Sequence, residues 1–159
     1  LEIFAEIIKL NQNYRLFLVG DGDLKPQILE KIKKLNLENT VILLGLRNDV
    51  PELLQAMDIF LFPSLHEGFS VAFVEAQATG IKSVISSGVP LESVLIKENA
   101  EIISLKQTPK QKKKKIIKMD VSQRKDVSDI IKQKGYDIKE NAQKLQEKYI
   151  QLLHHSITQ

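Results

Sequence analysis

Residues 62–80 read Phe62-Pro-Ser-Leu-His-Glu-Gly-Phe-Ser-Val-Ala-Phe-Val-Glu-Ala-Gln-Ala-Thr-Gly80. The run Ile59-Phe-Leu-Phe62 is apolar, of strand length, and stopped by Pro63. A short loop follows, and Ser70 stands as N-cap to an apolar helix, Val71–Thr79, that Gly80 ends. The segment is strand, loop, helix, and its helix start lies at the carboxyl end of the strand. The first N–H groups of a helix have no partner inside it, so this start suits an anion such as phosphate. Gly68 lets the backbone approach a ligand closely.

The alternation continues on both sides. Leu1, Phe4, Ile7, Ile8 and Leu10 recur at helical spacing, and Arg15–Val19 is a short buried strand ending at Gly20. Leu24, Ile28, Ile32 and Leu35 form a helical stripe, with Asp21 or Asp23 available as its cap. Val41–Leu44 is a second strand, closed by Gly45. Asp49-Val-Pro-Glu opens a short helix, with Asp49 or Asn48 as cap and Pro51 in its first turn. Beyond Gly80, Ser83–Ser86 is a fourth strand and Glu101–Leu105 a fifth. Helical stretches follow near 109–118, 124–134 and 138–155, with a break at Gly135 and Tyr136. Strands apolar on both faces argue a parallel sheet covered by helices on both sides. The expected fold is α/β, a Rossmann-like doubly wound sheet. Its ligands sit beyond the strand ends Gly20, Gly45, Pro63 and Ser86–Gly88.

A chain of 159 residues has the length of one domain and can bury a real core. It has no cysteine, which excludes disulfide scaffolds and thiolate metal sites and fits a reducing compartment. His66, His154 and His155 have no metal-ligand spacing with acids. No apolar run approaches the ~18–20 residues of a membrane span, and no signal segment opens the chain. Leu1 falls already inside an amphipathic pattern, so the chain reads as a piece of a longer protein.

The charge of +3 is uneven. Seven lysines and no acid lie between Lys106 and Lys118, so the remainder is net −4. The run reads first as a solvated face. Its functional reading is contact with anionic lipid through Lys110, Lys112, Lys113, Lys114 and Lys115. No aromatics interleave with the lysines, which argues against nucleic acid.

Two carboxylates flank the helix start. Glu67 lies in the loop, and Glu75 lies in an otherwise apolar helix whose side chains lean toward its N-terminus. A carboxylate repels phosphate but accepts hydrogen bonds from a vicinal diol. A central diphosphate with a hydroxyl-rich ring on each side, a nucleotide sugar, fits that arrangement. The plain reading makes both glutamates surface acids. Against it, an isolated carboxylate among Val71, Ala72, Phe73, Val74, Ala76 and Ala78 is costly unless paired or used. Gly20-Asp-Gly22 after a strand resembles a dinucleotide turn lacking its third glycine.

Taken together, Val19-Gly-Asp-Gly22, Val41–Gly45, Asp49-Val-Pro51, Asp58–Ser64 and Glu67-Gly-Phe…Glu75-Ala resemble the C-terminal half of family-four retaining glycosyltransferases. The resemblance spans residues 1–105. The stretch Ser87-Gly-Val-Pro-Leu-Glu-Ser93 is similar to bacterial capsule and exopolysaccharide enzymes. It implies the donor-binding half of a GT-B fold, with the first strand of the family domain missing. The domain would cover 1–135 and a C-terminal helix 136–159. By the same resemblance, Glu67 is the catalytic-site residue and contacts the transferred sugar. Glu75 binds the ribose, and Gly68 and Phe69 hold sugar and diphosphate. Gly20 and Gly22 pass close to the nucleotide, and Arg47 lies near the base.

The implied reaction moves a sugar from a nucleoside-diphosphate sugar to a polysaccharide or lipid-linked acceptor. It involves no cofactor and no bound metal. The acceptor would bind through a missing N-terminal domain, and no nucleic acid is implied. The implied location is cytoplasmic, or peripheral at the inner membrane face. The family's phosphate-binding Arg and Lys are absent, so this chain alone is expected to bind donor weakly and transfer nothing. The family's usual proline after the helix-ending glycine is Lys82 here. A noncatalytic nucleotide- or partner-binding α/β module is the alternative. A glycoside hydrolase ranks below both, because its paired acids have no use for a phosphate-type helix start.

Overall fold

A computed structural model describes residues 1–157 of the chain, with side chains through His154. The end of the expected segment 136–159, and the His155 side chain, lie outside the described residues. The elements alternate as α1 (Glu2–Ile8), β1 (Leu16–Val19), α2 (Lys25–Lys34), β2 (Val41–Gly45), α3 (Val50–Ala56) and β3 (Ile59–Phe62). Then come α4 (Val71–Ala78), β4 (Lys82–Ser86), two 3₁₀ turns, β5 (Ala100–Ile103), α5 (Pro109–Ile116), α6 (Ser128–Gln133) and α7 (Ile138–Ile157).

Every strand pairing is parallel, as expected from the doubly apolar runs. The strands nevertheless form two sheets, β1-β2 and β3-β4-β5, and not one. The outer edges of β1 and β3 have no backbone partner among the described residues. A shared core unites the two sheets. Ile3, Phe4 and Ile7 of α1 pack in one buried cluster with Ile32, Val41, Val84, Ile103 and Ile116. Leu16 and Leu18 of β1 and Ile59 and Leu61 of β3 pack against it. Lys31 of α2 clamps Glu2 of α1 at 2.8 Å and draws that carboxyl below its usual range.

α4 is seated by aromatic packing. Phe73 is fully buried and stacks on Phe60 of β3, ring centres 6.4 Å apart. Phe60 in turn stacks on Phe62 at 5.5 Å. Truncating such a buried ring costs about 3–5 kcal/mol, so the start of α4 is held firmly at the end of β3.

Two expected caps are corrected. α2 has Leu24 at its N-cap position, with no side-chain cap. Asp21 instead accepts from the Gly22 N–H at 2.8 Å and from Lys25 at 3.0 Å, closing its own turn. Asp49 occupies the N-cap of α3 but does not cap it, because both carboxylate oxygens are taken by Arg47. Arg124, far along the chain, donates to the carbonyls of Leu54 and Gln55 at the end of α3, and to that of Met57.

The lysine run forms α5, opened by a reciprocal cap. Thr108 Oγ1 accepts from the Gln111 N–H, and Gln111 Oε1 accepts from the Thr108 N–H. Three of the five lysines of the lipid-contact reading point to protein acceptors. Lys112 reaches the Leu105 carbonyl, Lys113 lies 3.9 Å from Glu6, and Lys115 pairs with Glu101 at 2.6 Å. Lys110 and Lys114 are exposed. No helix among the described residues is long and apolar enough to cross a membrane.

Candidate functional site

The loop from β3 to α4 is braced from β4. Ser86 Oγ donates to the Ser64 carbonyl and accepts from the Gly88 N–H at 3.2 Å. The Glu67 N–H donates to the Gly88 carbonyl at 3.1 Å. Gly88 sits directly under the Leu65 backbone, where any Cβ would collide with the Leu65 carbonyl. The loop bearing Glu67 is therefore shaped by residues some twenty positions downstream. Sequence reasoning marked Ser86–Gly88 as a strand end and Ser87–Ser93 as a stretch of resemblance, but not as the brace of this loop. The usable signal was two small residues after a strand, where a second chain segment must pass.

Ser70 caps α4 as expected, its Oγ accepting from the Phe73 N–H at 3.3 Å. The N–H groups of Gly68, Phe69, Val71 and Ala72 donate to no protein acceptor among the described residues. Gly68 and Phe69 are exposed, so these donors are open to a ligand. The helix adds its partial positive charge at the same point.

Glu67 is half-buried in the loop. Glu75 is exposed, on the stripe of α4 that carries Val71, Ala72 and Ala78. The carboxylate is therefore not desolvated, contrary to the expected burial cost. The buried face of α4 is Phe73, Ala76 and Gln77 instead. Apolar composition hid this division, because Val71, Ala72 and Ala78 on the exposed face are as apolar as Phe73 and Ala76 on the buried one.

Gln77 is a buried polar residue to which sequence reasoning gave no structural role. Its Nε2 donates to the Ser93 carbonyl at 2.8 Å and to the Phe73 carbonyl at 3.3 Å. Its Oε1 accepts from the N–H groups of Leu95 and Ile96 at 2.7 and 3.1 Å. An amide four residues after Phe73 on an apolar helix was the sequence signal. Lys82 donates to the Glu98 carbonyl and to Asn99 Oδ1 at 3.1 and 2.7 Å.

The remaining candidates sit at the ends of β1 and β2. The Gly20 N–H donates to the Gly45 carbonyl at 2.8 Å, and both Gly20 and Gly22 are exposed. Arg47 is exposed and paired with Asp49, whose carboxyl is held below its ordinary range chiefly by that hydrogen bond. No hydrogen bond, ion pair or ring contact among the described residues joins this group to Glu67, Gly68, Phe69 and Glu75. No set of three His, Cys, Asp or Glu among the described residues is grouped to hold a metal.

The family model "Glycosyl transferases group 1" matches residues 1–137. The chain is 37% identical over 89 residues to the putative glycosyltransferase EpsF of Bacillus subtilis, covering 56% of this chain and 23% of that protein. It is 42% identical over 71 residues to an Escherichia coli UDP-Gal:alpha-D-GlcNAc-diphosphoundecaprenol alpha-1,3-galactosyltransferase, covering 44% and 18%. The chain thus spans about a fifth of the length of these relatives. Among solved structures, it resembles the C-terminal domain of the Francisella tularensis glycosyl transferase LpcC. The TM-score is 0.67 at 21% identity, over 86% of this chain and 79% of that one. It also resembles Anabaena HepE in complex with UDP and glucose. There the TM-score is 0.73 at 23% identity, over 93% and 43%. These likenesses establish the fold as that of a GT-B C-terminal domain.

Proposed function

The chain belongs to the group 1 glycosyl transferases, and from that membership we propose that it is the donor-binding half of an enzyme transferring a sugar from a nucleoside-diphosphate sugar. One observation carries the reading. The start of α4 offers N–H groups of Gly68, Phe69, Val71 and Ala72 that have no partner among the described residues, with Glu67 in the loop before the helix and the exposed Glu75 within it. Amides of this kind neutralise a diphosphate, and the carboxylates accept from sugar hydroxyls.

In this reading Glu75 takes the ribose and Glu67 the transferred sugar. The amides stabilise the departing diphosphate as its charge grows. Gly20, Gly22 and Arg47 border the nucleotide. The reaction retains configuration, and the acceptor is a saccharide or lipid-linked saccharide held by another part of a longer polypeptide. Names of relatives support that substrate class, including the undecaprenol-linked acceptor of the E. coli enzyme. A further parallel strand between β1 and β3 would merge the two sheets. The resulting order, 2-1-x-3-4-5, is the doubly wound order that places ligands at its reversal point.

The test is an NMR titration of the ¹⁵N-labelled chain with UDP-, GDP- and ADP-sugars. Saturable shifts at Gly20–Gly22, Arg47 and Gly68–Glu75 with one nucleotide, lost in Glu75→Ala, are expected. Because Glu75 is exposed, that variant keeps its stability within about 0.5 kcal/mol. A longer chain carrying upstream residues that still shows no shift at millimolar donor would overturn the reading.

A further inference from the structure

Phe69, in the loop that opens α4, has an exposed ring (54%) and an unpartnered N–H. Among the described residues its one aromatic contact is Tyr136, with ring centres 6.1 Å apart and planes parallel within 3°. The two residues are 67 positions apart, and Tyr136 lies at the corner between α6 and α7.

That corner is set without help from Phe69. Gly135 takes a left-handed φ of +83°, and its N–H donates to the Lys132 carbonyl at 2.8 Å. The Tyr136 N–H donates to the Ile131 carbonyl at 3.1 Å, which completes the glycine-ended helix stop of α6. From the other side, Asn141 in α7 donates to the Gly135 carbonyl at 2.8 Å. Asp137 accepts from the N–H groups of Lys139 and Glu140 and caps the first turn of α7. α6 itself is anchored through Val127 and Ile131, buried against Leu95 and Ile96 with Val74 of α4 packed alongside. The corner that carries Tyr136 is thus set by five backbone or side-chain hydrogen bonds and a buried cluster. Phe69, by contrast, lies with Gly68 between the bonded residues Glu67 and Ser70, and neither Gly68 nor Phe69 makes a hydrogen bond of its own among the described residues.

We infer that Tyr136 is a positioning residue for the donor loop: its ring fixes Phe69, and through it the N–H groups of Gly68 and Phe69, relative to the start of α4. The inference rests on the donor-site reading for its effect on binding, but the loop geometry can be measured without any ligand. An exposed loop amide contributes to anion binding only if it stays aimed, and an unfixed loop loses part of its binding energy in ordering itself. The corner supplies that order in advance.

The experiment compares Tyr136→Phe, Tyr136→Leu and Tyr136→Ala in the ¹⁵N-labelled chain, with circular dichroism as a check on folding. Tyr136→Leu keeps apolar volume at the corner without the ring. The first readout is the amide shifts and relaxation of Gly68 and Phe69 in the absence of ligand. The second is the affinity for the nucleotide sugar that binds the unsubstituted chain. Expected are displaced and more mobile Gly68 and Phe69 amides in the Leu and Ala variants, and affinity weakened about two- to tenfold, the worth of one aromatic pair. Tyr136→Phe should restore both, since the ring and not the hydroxyl makes the contact. Unchanged loop amides in folded Tyr136→Leu would overturn the inference, as would altered amides with unchanged affinity. If the unsubstituted chain binds no nucleotide sugar, the loop readout alone decides the role of Tyr136, and the donor-site reading is decided separately by the titration of the longer chain.

Discussion

The Gln77 side-chain amide donates to the Ser93 carbonyl at 2.8 Å, across sixteen residues of sequence and inside the core. Through this one bond and its companions to Leu95 and Ile96, α4 is joined to the segment that follows β4. The helix start that presents the open amides is therefore anchored from behind.

Removing that anchor should be expensive. Gln77→Leu fills similar volume but leaves the Ser93 carbonyl and the Leu95 and Ile96 N–H groups buried without partners. Each such group costs about 1–3 kcal/mol, so a total loss of about 3 kcal/mol or more is expected in urea denaturation. A loss below about 1 kcal/mol would mean that these groups find other partners.

Gly88→Ala places a methyl group against the Leu65 carbonyl, a backbone atom that cannot swing aside. Relief requires moving the loop 64–67. Overpacking of this sort costs about 1–3 kcal/mol. Thermal unfolding should show the loss, and the amide of Glu67, bonded to the Gly88 carbonyl, should shift most in a ¹⁵N spectrum.

Ser70 tests capping against simple packing. It is buried, and its hydroxyl takes the Phe73 N–H. Ser70→Ala should cost about 1 kcal/mol and Ser70→Gly only a few tenths. A residue valued for packed volume would show the reverse order. Measured unfolding free energies of the two variants decide between the roles.

The Arg47–Asp49 pair fixes a pH dependence. Its hydrogen bonds depress the Asp49 pKa below the ordinary value of about 3.9. A depressed folded-state pKa means that the pair's contribution is present above the ordinary value and is lost as pH falls through the folded one. The Arg47 side-chain Nε resonance should hold constant from pH 7 to about 4 and move below it. Both groups are exposed, so salt should weaken the effect. Movement centred near pH 6 would show that another group governs Arg47.

What could be read from residues alone was local. Apolar runs closed by Gly or Pro located β1, β2 and β3 within a residue, because strand length and buried faces are written in composition. Ser70 as the cap of α4 was legible because a hydroxyl three residues before a backbone N–H is a short-range relation. The glutamate pair and its spacing around a helix start were legible for the same reason, as was the resemblance that the family match bears out.

Tertiary structure decided what depends on segments distant in sequence. The missed caps of Asp21 and Asp49 are the local exception, since Lys25 and Arg47, four and two residues away, compete for those carboxylates. The apolar neighbours of Glu75 left its exposure open, and only the packing of Phe73 and Gln77 selects which stripe of α4 turns inward. The brace of Gly88 beneath Leu65, the Gln77 anchor and the Tyr136–Phe69 stack each join residues at least sixteen positions apart. Sequence periodicity reports the environment of one element at a time. Contacts between elements follow from the order in which strands pair and from the core they share, and those are properties of the assembled chain.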